Sequence, residues 1–352
     1  MPLSVFERAE FLKNAGWSGA TISQVGEDWS QRQIFRIEKS ARTAILIHGV
    51  HDNDPRAVPG HKLRDFLDIG RYLESIEVSV PKIYSYDLAH GLMLVEDFGN
   101  EDFSSLIEGS GPRARDMYRI AVQCLVHLYN KTEYVAVDLP DYTKSHVHKG
   151  RQRVIDWYVP AVLGRKNPDG LVDEYLGVWA EIERKLPRAP RRFLHGDFHP
   201  GNLMYLADRA GYRQVGLLDF QGAMMGPAPY DLVNLLEDAR RIVPDETRGE
   251  CLDLFSSQLS GESKEAFLAW YPVLAAQFHF RVIGQAIKLA VRDKKTRLMT
   301  LVPTLQTHIL RDFEHPVLLP MKQWFDRLGV DFSVPFLPEI DRISGLIRSD
   351  AF

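Results

Sequence analysis

The chain has 352 residues, 45% hydrophobic and 26% charged, with a formal net charge of −4. That length implies two or three structural units with real cores, and the slightly acidic balance supplies no global positive field for nucleic acid or an anionic membrane. The two cysteines, Cys124 and Cys251, sit in apolar-patterned stretches and are expected as buried thiols.

Residues 4–15 group Val5, Phe6, Ala9, Phe11 and Leu12 at helical spacing, although the N-terminus carries acidic residues and lacks the apolar core of a secretory signal. Strands are expected over Thr21–Val25, Gln33–Glu38 and Thr43–Gly49. The polar Gly26–Gln33 segment reads by itself as an ordinary hairpin loop, although donors at its tip could cover nucleotide phosphates. His51-Asp-Asn-Asp54, followed by Pro55, reads as a turn and not as a metal cluster. A helix is expected over Lys62–Ser75, then a strand pair at Val80–Tyr86 and Gly91–Glu96. Asp97-Phe-Gly-Asn100 breaks that pattern and marks a boundary between an N-terminal lobe, 1–96, and a C-terminal helical lobe, 97–352. Beyond it the period is helical at Ala114–Asn130, Val172–Lys185, Tyr230–Arg240, Thr247–Leu259, Lys264–Asp293 and Arg297–Phe313. The basic run Arg292–Arg297 reads as a solvated helix end. A β-rich first third and a helical remainder predict a two-lobed α+β protein. No segment approaches the uninterrupted apolar length of a membrane span, so a cytoplasmic protein is expected.

The most informative segment is His195-Gly-Asp-Phe-His-Pro-Gly-Asn202, followed by the apolar strand Gln214-Val-Gly-Leu-Leu-Asp219. Phosphoryl transfer from ATP needs a base near the acceptor hydroxyl and further oxygen ligands for Mg²⁺. H-x-D-x-x-x-x-N supplies Asp197 as the base and Asn202 as an amide oxygen for the metal, and Asp219 adds a charged ligand at the end of its strand. Mg²⁺ prefers few protein oxygens and retains waters and substrate phosphates. Either half alone is commonplace in turn-rich loops. The two halves in this order, joined by a stretch able to form a β-hairpin, point to a kinase.

These residues resemble those of the aminoglycoside phosphotransferase and choline kinase superfamily, whose fold is like that of protein kinases. The run Asp219-Phe-Gln-Gly-Ala-Met-Met-Gly-Pro-Ala-Pro-Tyr-Asp-Leu-Val-Asn-Leu-Leu236 looks like the signature of the anomeric N-acetylmuramate/N-acetylglucosamine kinases. So do Phe280–Asp293, Asp156-Trp-Tyr158 and Ser30-x-Arg32-x-x-x-Arg36. The resemblance covers nearly the whole chain and implies phosphorylation of an anomeric hydroxyl in cell-wall recycling. Two departures stand out. Gly196 and Pro200-Gly201 look more like the generic small-molecule kinases, and the third strand, Ala44–His48, has no lysine where many kinases place one against the nucleotide phosphates.

With the resemblance, Ser30, Arg32, Arg36, Glu96 and Phe98 are expected on the nucleotide side. An arginine would supply the missing phosphate charge, and backbone around Glu96–Phe98 would read adenine. Gln221 is a candidate acceptor contact, and His199 either touches the acceptor or caps the loop. His195 is expected to pack the catalytic loop, and Asp231, at the opening of a helix, to support it. Trp157 is assigned to the core. The expected partners are ATP, Mg²⁺ and a small-molecule acceptor, with no nucleic acid, membrane or protein partner evident. An aminoglycoside, choline or homoserine-type acceptor stays open, as does a degenerate kinase-fold binding protein, against which the intact Asp197, Asn202 and Asp219 argue.

Overall fold

The computed structural model describes residues 5–25, 32–49, 51–52, 54, 62–108, 111–259, 261–336 and 339–348. Ser30 and most of the expected phosphate loop lie outside them. The chain divides into two compact units, 1–139 with 195–223 and 140–194 with 224–352.

The first unit opens with α1 (Val5–Asn14), followed by β1 (Thr21–Gln24), β2 (Gln33–Lys39) and β3 (Arg42–His48). Period-2 alternation on β3 turns Ala44 and Leu46 to one face, where they pack with Leu12 of α1, Trp17 and Ile37. Helix α2 (Leu63–Ser75) buries Leu63, Phe66, Leu67, Ile69 and Leu73 along one stripe. In the expected turn at His51–Asp54, the Asp52 carboxylate accepts from the backbone N–H groups of Leu63 at 3.0 Å and Arg64 at 3.2 Å. Those donors would otherwise be orphaned at the start of α2. β4 (Ile83–Asp87) and β5 (Leu92–Val95) complete a five-stranded antiparallel sheet of order β1-β2-β3-β5-β4. Two helices follow, α3 (Phe103–Leu106), capped by Asp102, and α4 (Pro112–Lys131), begun by a proline at its first position.

The second unit begins with short pieces: α5 (His146–Lys149), a π-helical turn Val154–Tyr158 and α6 (Val159–Leu163), which ends on left-handed Gly164. After α7 (Leu171–Arg184), β6 (Arg191–Leu194) leads back into the first unit. There β7 (Leu203–Tyr205) and β8 (Val215–Leu217) form a hairpin. The second unit resumes with β9 (Met224–Pro227), which pairs with β6, and α8 (Pro229–Leu236). Then come α9 (Asp245–Ser256), α10 (Gly261–Asp293), α11 (Val302–Asp312), α12 (Leu319–Leu328) and α13 (Ile340–Ile343). α10 is its spine, packing Phe280, Ile283 and Ile287 with Trp157, Tyr175, Trp179 and Phe325. Trp157 is fully buried, as expected, and both cysteines are buried free thiols.

Helix α8 differs from the periodic reading in two respects. α8 ends at Leu236 and not at Arg240, because Asp238 Oδ1 accepts from the backbone N–H of Arg240, a local bond that competes with helix continuation. Asp231 is not the N-cap of α8. Pro229 starts the helix behind Ala228, and Asp231 falls within the first turn, where a carboxylate still complements the helix dipole. No helix among the described residues is long and apolar enough to cross a membrane.

Candidate active site

The β7–β8 hairpin assembles the site. Its register pairs Leu203 with Leu217, so the residue before β7 faces the residue after β8, and Leu218 donates its N–H to the Asn202 carbonyl at 2.9 Å. Asn202 is therefore bonded through its backbone to the residue that precedes Asp219. Gly216 at the centre of β8 lets the Phe98 ring approach: a Cβ there would fall 2.7 Å from it.

His195 ties the loop down. Its Nε2–H donates to the Leu218 carbonyl at 2.8 Å, and its Nδ1 accepts from the Asp197 N–H at 3.3 Å. Burial pushes the imidazole down to a pKa of about 4, so it is neutral near pH 7 in the tautomer these two bonds require. Gly196 follows at φ +86°, a left-handed conformation natural to glycine. Asp197 then stands half in solvent, its side chain 53% exposed.

Asn202 spends both amide hydrogens on Asp197, donating to its carbonyl at 3.0 Å and its Oδ2 at 3.1 Å. That orientation leaves the amide oxygen as the end able to meet a cation. His199 folds over the same turn. Its Nδ1 accepts from the Gly201 N–H at 3.0 Å, and its Nε2 lies 3.6 Å from Asp197 Oδ2. Gly201 allows this, because a Cβ there would fall 2.9 Å from the His199 ring.

Asp219 is a non-glycine residue at φ +57°, and its side chain is exposed. Such a conformation costs on the order of 1 kcal/mol and persists where neighbours over-determine it. Two neighbours do so. Phe220 is buried against Phe66 of α2, ring centroids 4.6 Å apart, and above Gly70. Gln221, also buried, donates its Nε2–H to Asp219 Oδ1 at 2.5 Å. The hard oxygens of Asn202 and Asp219 suit Mg²⁺ in type and number.

At the end of the sheet, Glu96 accepts from Arg209 at 3.1 Å and from the Lys82 N–H at 3.2 Å. Arg209 also lies over the Phe98 ring. Arg36 is committed locally: it pairs with Asp97 at 2.7 Å and donates to Asn100 Oδ1 and the Gly99 carbonyl. Arg32 precedes β2, its stem beside Gly49. Asp231 is buried in the second unit.

One polar cluster, in the second unit, was not foreseen from the sequence. Glu237, His279 and His308 bring potential ligand atoms within 4.8 Å of one another. Arg311 already holds Glu237, however, and lies 3.0 Å from His308 Nδ1. Both His279 nitrogens are engaged, with Asp312 at 2.6 Å and the Glu237 carbonyl at 3.2 Å. The guanidinium supplies the cation, so this is a buried ion network and not a metal centre. Nothing in the sequence spacing marks it, because its members come from the end of α8, from α10 and from α11.

Residues 21–268 match the model of the phosphotransferase enzyme family. The chain is similar to the N-acetylmuramate/N-acetylglucosamine kinase of Caulobacter vibrioides, 29% identical over 347 residues that cover 91% of this chain and 95% of that protein. The protein of the same name from Pseudomonas aeruginosa is 28% identical, over 84% of this chain and 85% of its own. Among solved structures, aminoglycoside 2'-phosphotransferase-IIIa in its GDP complex is similar with a TM-score of 0.59 at 13% identity, covering 88% of this chain and 98% of its own. The microcompartment-associated aminopropanol kinase gives 0.56 at 13%, covering 94% and 100%. At that identity the likeness is one of fold, and it places the chain in the kinase-like α+β class that the order of its elements predicts. With the family model spanning well over half of its length, the chain belongs to the phosphotransferase enzyme family.

Proposed function

We propose that the protein is an ATP-dependent kinase that phosphorylates the anomeric hydroxyl of N-acetylmuramate or N-acetylglucosamine, a step suited to cell-wall recycling. The observation that carries this reading is the convergence of Asp197, Asn202 and Asp219 on one hairpin and one stapled loop. The similarity to curated sugar kinases along most of the chain supports the choice of acceptor.

In this reading Asp197 accepts the proton of the acceptor hydroxyl, and the Asn202 amide holds its carboxylate in place. His195 stays neutral and fixes the loop to Leu218. Asn202 and Asp219 would hold Mg²⁺, which when bound supplies charge neutralisation between the nucleotide phosphates. Gln221, placed beneath Asp219, orients that carboxylate. Residues 1–96 form the nucleotide-covering lobe, residues 97–352 the catalytic lobe. Ser30 and Arg32 serve the phosphates, backbone near Glu96 and Phe98 reads adenine, and Arg36 braces the hinge through Asp97. His199 is the acceptor contact nearest the base, and Asp231 supports the site. An anomeric hydroxyl is more acidic than the others on the ring, so modest help from Asp197 suffices. Rate then comes chiefly from positioning and charge.

The test is ³¹P NMR of the protein with Mg·ATP and each sugar. A sugar 1-phosphate should appear, and 1-O-methyl sugars should be inert. Activity confined to aminoglycosides or choline would overturn the acceptor. Asp197→Asn should lower turnover by roughly 10²–10⁴ while leaving Mg·ATP affinity nearly intact, and near-wild-type turnover would remove Asp197 from the role of base.

A further inference from the structure

Three links hold the end of the five-stranded sheet to the β7–β8 hairpin, all inside the first unit. Two are made by backbone. Leu217 of β8 donates its N–H to the Ser79 carbonyl at 2.8 Å, and Tyr205 of β7 donates to the Glu101 carbonyl at 2.8 Å. The third is made by side chains. Arg209, in the loop of the hairpin, reaches Glu96 at 3.1 Å across 113 residues of sequence, and its guanidinium lies 5.3 Å from the centroid of the Phe98 ring. Asp208 and Ala210 beside it are exposed, whereas the Arg209 side chain turns inward and is 22% exposed.

The backbone between these anchors is the part that the sheet leaves open. Glu96 donates its N–H to the Lys82 carbonyl at 2.8 Å. Beyond it, the N–H and carbonyl groups of Asp97 and Phe98 take no part in the backbone hydrogen bonding of the described residues. Each is a strong donor or acceptor, suited to the polar edge of a purine. Side chains hold this stretch instead. The Glu96 carboxylate spans Arg209 and the Lys82 N–H. Asp97 is taken by Arg36 of β2 and by the Gly99 N–H at 2.9 Å, and the Phe98 ring lies against Gly216. Arg209 is the charged grip that comes from the hairpin, whose strands lie between Asn202 and Asp219.

We propose that Arg209 is a positioning residue for the base of the nucleotide. Holding Glu96 by charge and Phe98 by its ring face, it sets the backbone of Asp97 and Phe98 relative to the hairpin flanked by the two proposed metal ligands. The purine edge and the phosphates of one nucleotide are then met at a fixed span. This inference rests on the nucleotide side of the functional reading above and not on the identity of the acceptor.

The experiment is titration calorimetry of the full chain with Mg·ATP and with Mg·tripolyphosphate, which carries the phosphates without the base. Arg209→Met keeps the length of the stem and removes the charge. It should weaken Mg·ATP by roughly 3–30-fold, the range of a part-exposed ion pair with a cation–π contact, and leave Mg·tripolyphosphate within about 2-fold. Arg209→Lys should restore part of the loss. Glu96→Gln should weaken Mg·ATP in the same way, and it carries the test should Arg209→Met fail to fold. The double variant should be no weaker than the worse single one, because the two residues act as a pair. Unchanged Mg·ATP affinity, or equal weakening of both ligands, would overturn the proposal, and an additive double variant would remove Glu96 from it. A wild-type chain that binds Mg·ATP but phosphorylates no amino sugar would unseat the acceptor and leave this inference standing. One that binds no Mg·ATP would end both.

Discussion

Asp219 shows how the site is held together by residues that do no chemistry. Its backbone is in a conformation unfavourable for a residue with a Cβ, its ring-bearing successor is locked into α2, and its carboxylate is gripped by Gln221. Asp219→Ala should weaken Mg·ATP binding and abolish turnover together, because the charge facing the cation is lost. Titration calorimetry showing unchanged Mg·ATP affinity would exclude the assignment. Gln221→Leu should act more gently, raising the KM for nucleotide while turnover remains measurable, since the carboxylate persists without its orienting donor. The three residues proposed for the chemistry could be singled out from spacing, because H-x-D-x-x-x-x-N and a strand-end carboxylate are local patterns. The grips on them were not. The His195 bond to Leu218, the Gln221 bond to Asp219 and the Arg36 pair with Asp97 depend on side-chain directions that spacing does not encode.

Among the elements, those with a long unbroken period were readable: the N-terminal strands, α2, α4, α7 and α10 lie within a few residues of their expected limits. The segment 142–163 was not. It is assembled from 3₁₀, α and π turns, each too short to establish a period, and it is held in place by tertiary contact with α10. Gly284 is the residue on which that contact turns. Gly284→Ala places a methyl group 2.2 Å from backbone atoms of Arg153, which cannot rotate away. The ordinary gain in helix propensity from alanine, about 1 kcal/mol, is therefore expected to be outweighed. Net destabilisation of about 1–3 kcal/mol follows from overpacking, readable as a lower midpoint in denaturant. A midpoint equal to or above wild type would mean that α10 and the 150–156 segment are not in contact.

At the scale of the whole molecule, several imidazoles are folded into places where they cannot take up a proton, one in each unit almost fully buried. Burial pushes His195 down to about 4. Burial with the neighbouring His279 and Arg311 pushes His308 down to about 3. Above about pH 6.5 both are neutral whether the chain is folded or not, so they give stability no pH dependence there. Below that value the unfolded chain gains protons that the native chain refuses, and stability must fall. His279 behaves oppositely: burial opposes its charge, but Asp312 beside it raises the pKa above the usual value. Its contribution is complete below the unfolded pKa and lost as pH rises through the folded one, so it is silent on the acid side. Carboxylates at their ordinary values titrate lower, and buried Glu237, whose pKa burial raises, opposes the histidines, so from pH 6.5 to 5 the buried neutral histidines set the sign of the change. Each should contribute a slope approaching about 1.4 kcal/mol per pH unit there. Denaturant midpoints measured at half-unit steps should therefore drop steadily from pH 6.5 to 5, and His308→Gln should flatten the drop by about one proton's worth. A flat wild-type profile across that window would mean that His195 and His308 are protonated, or exposed, in the native protein.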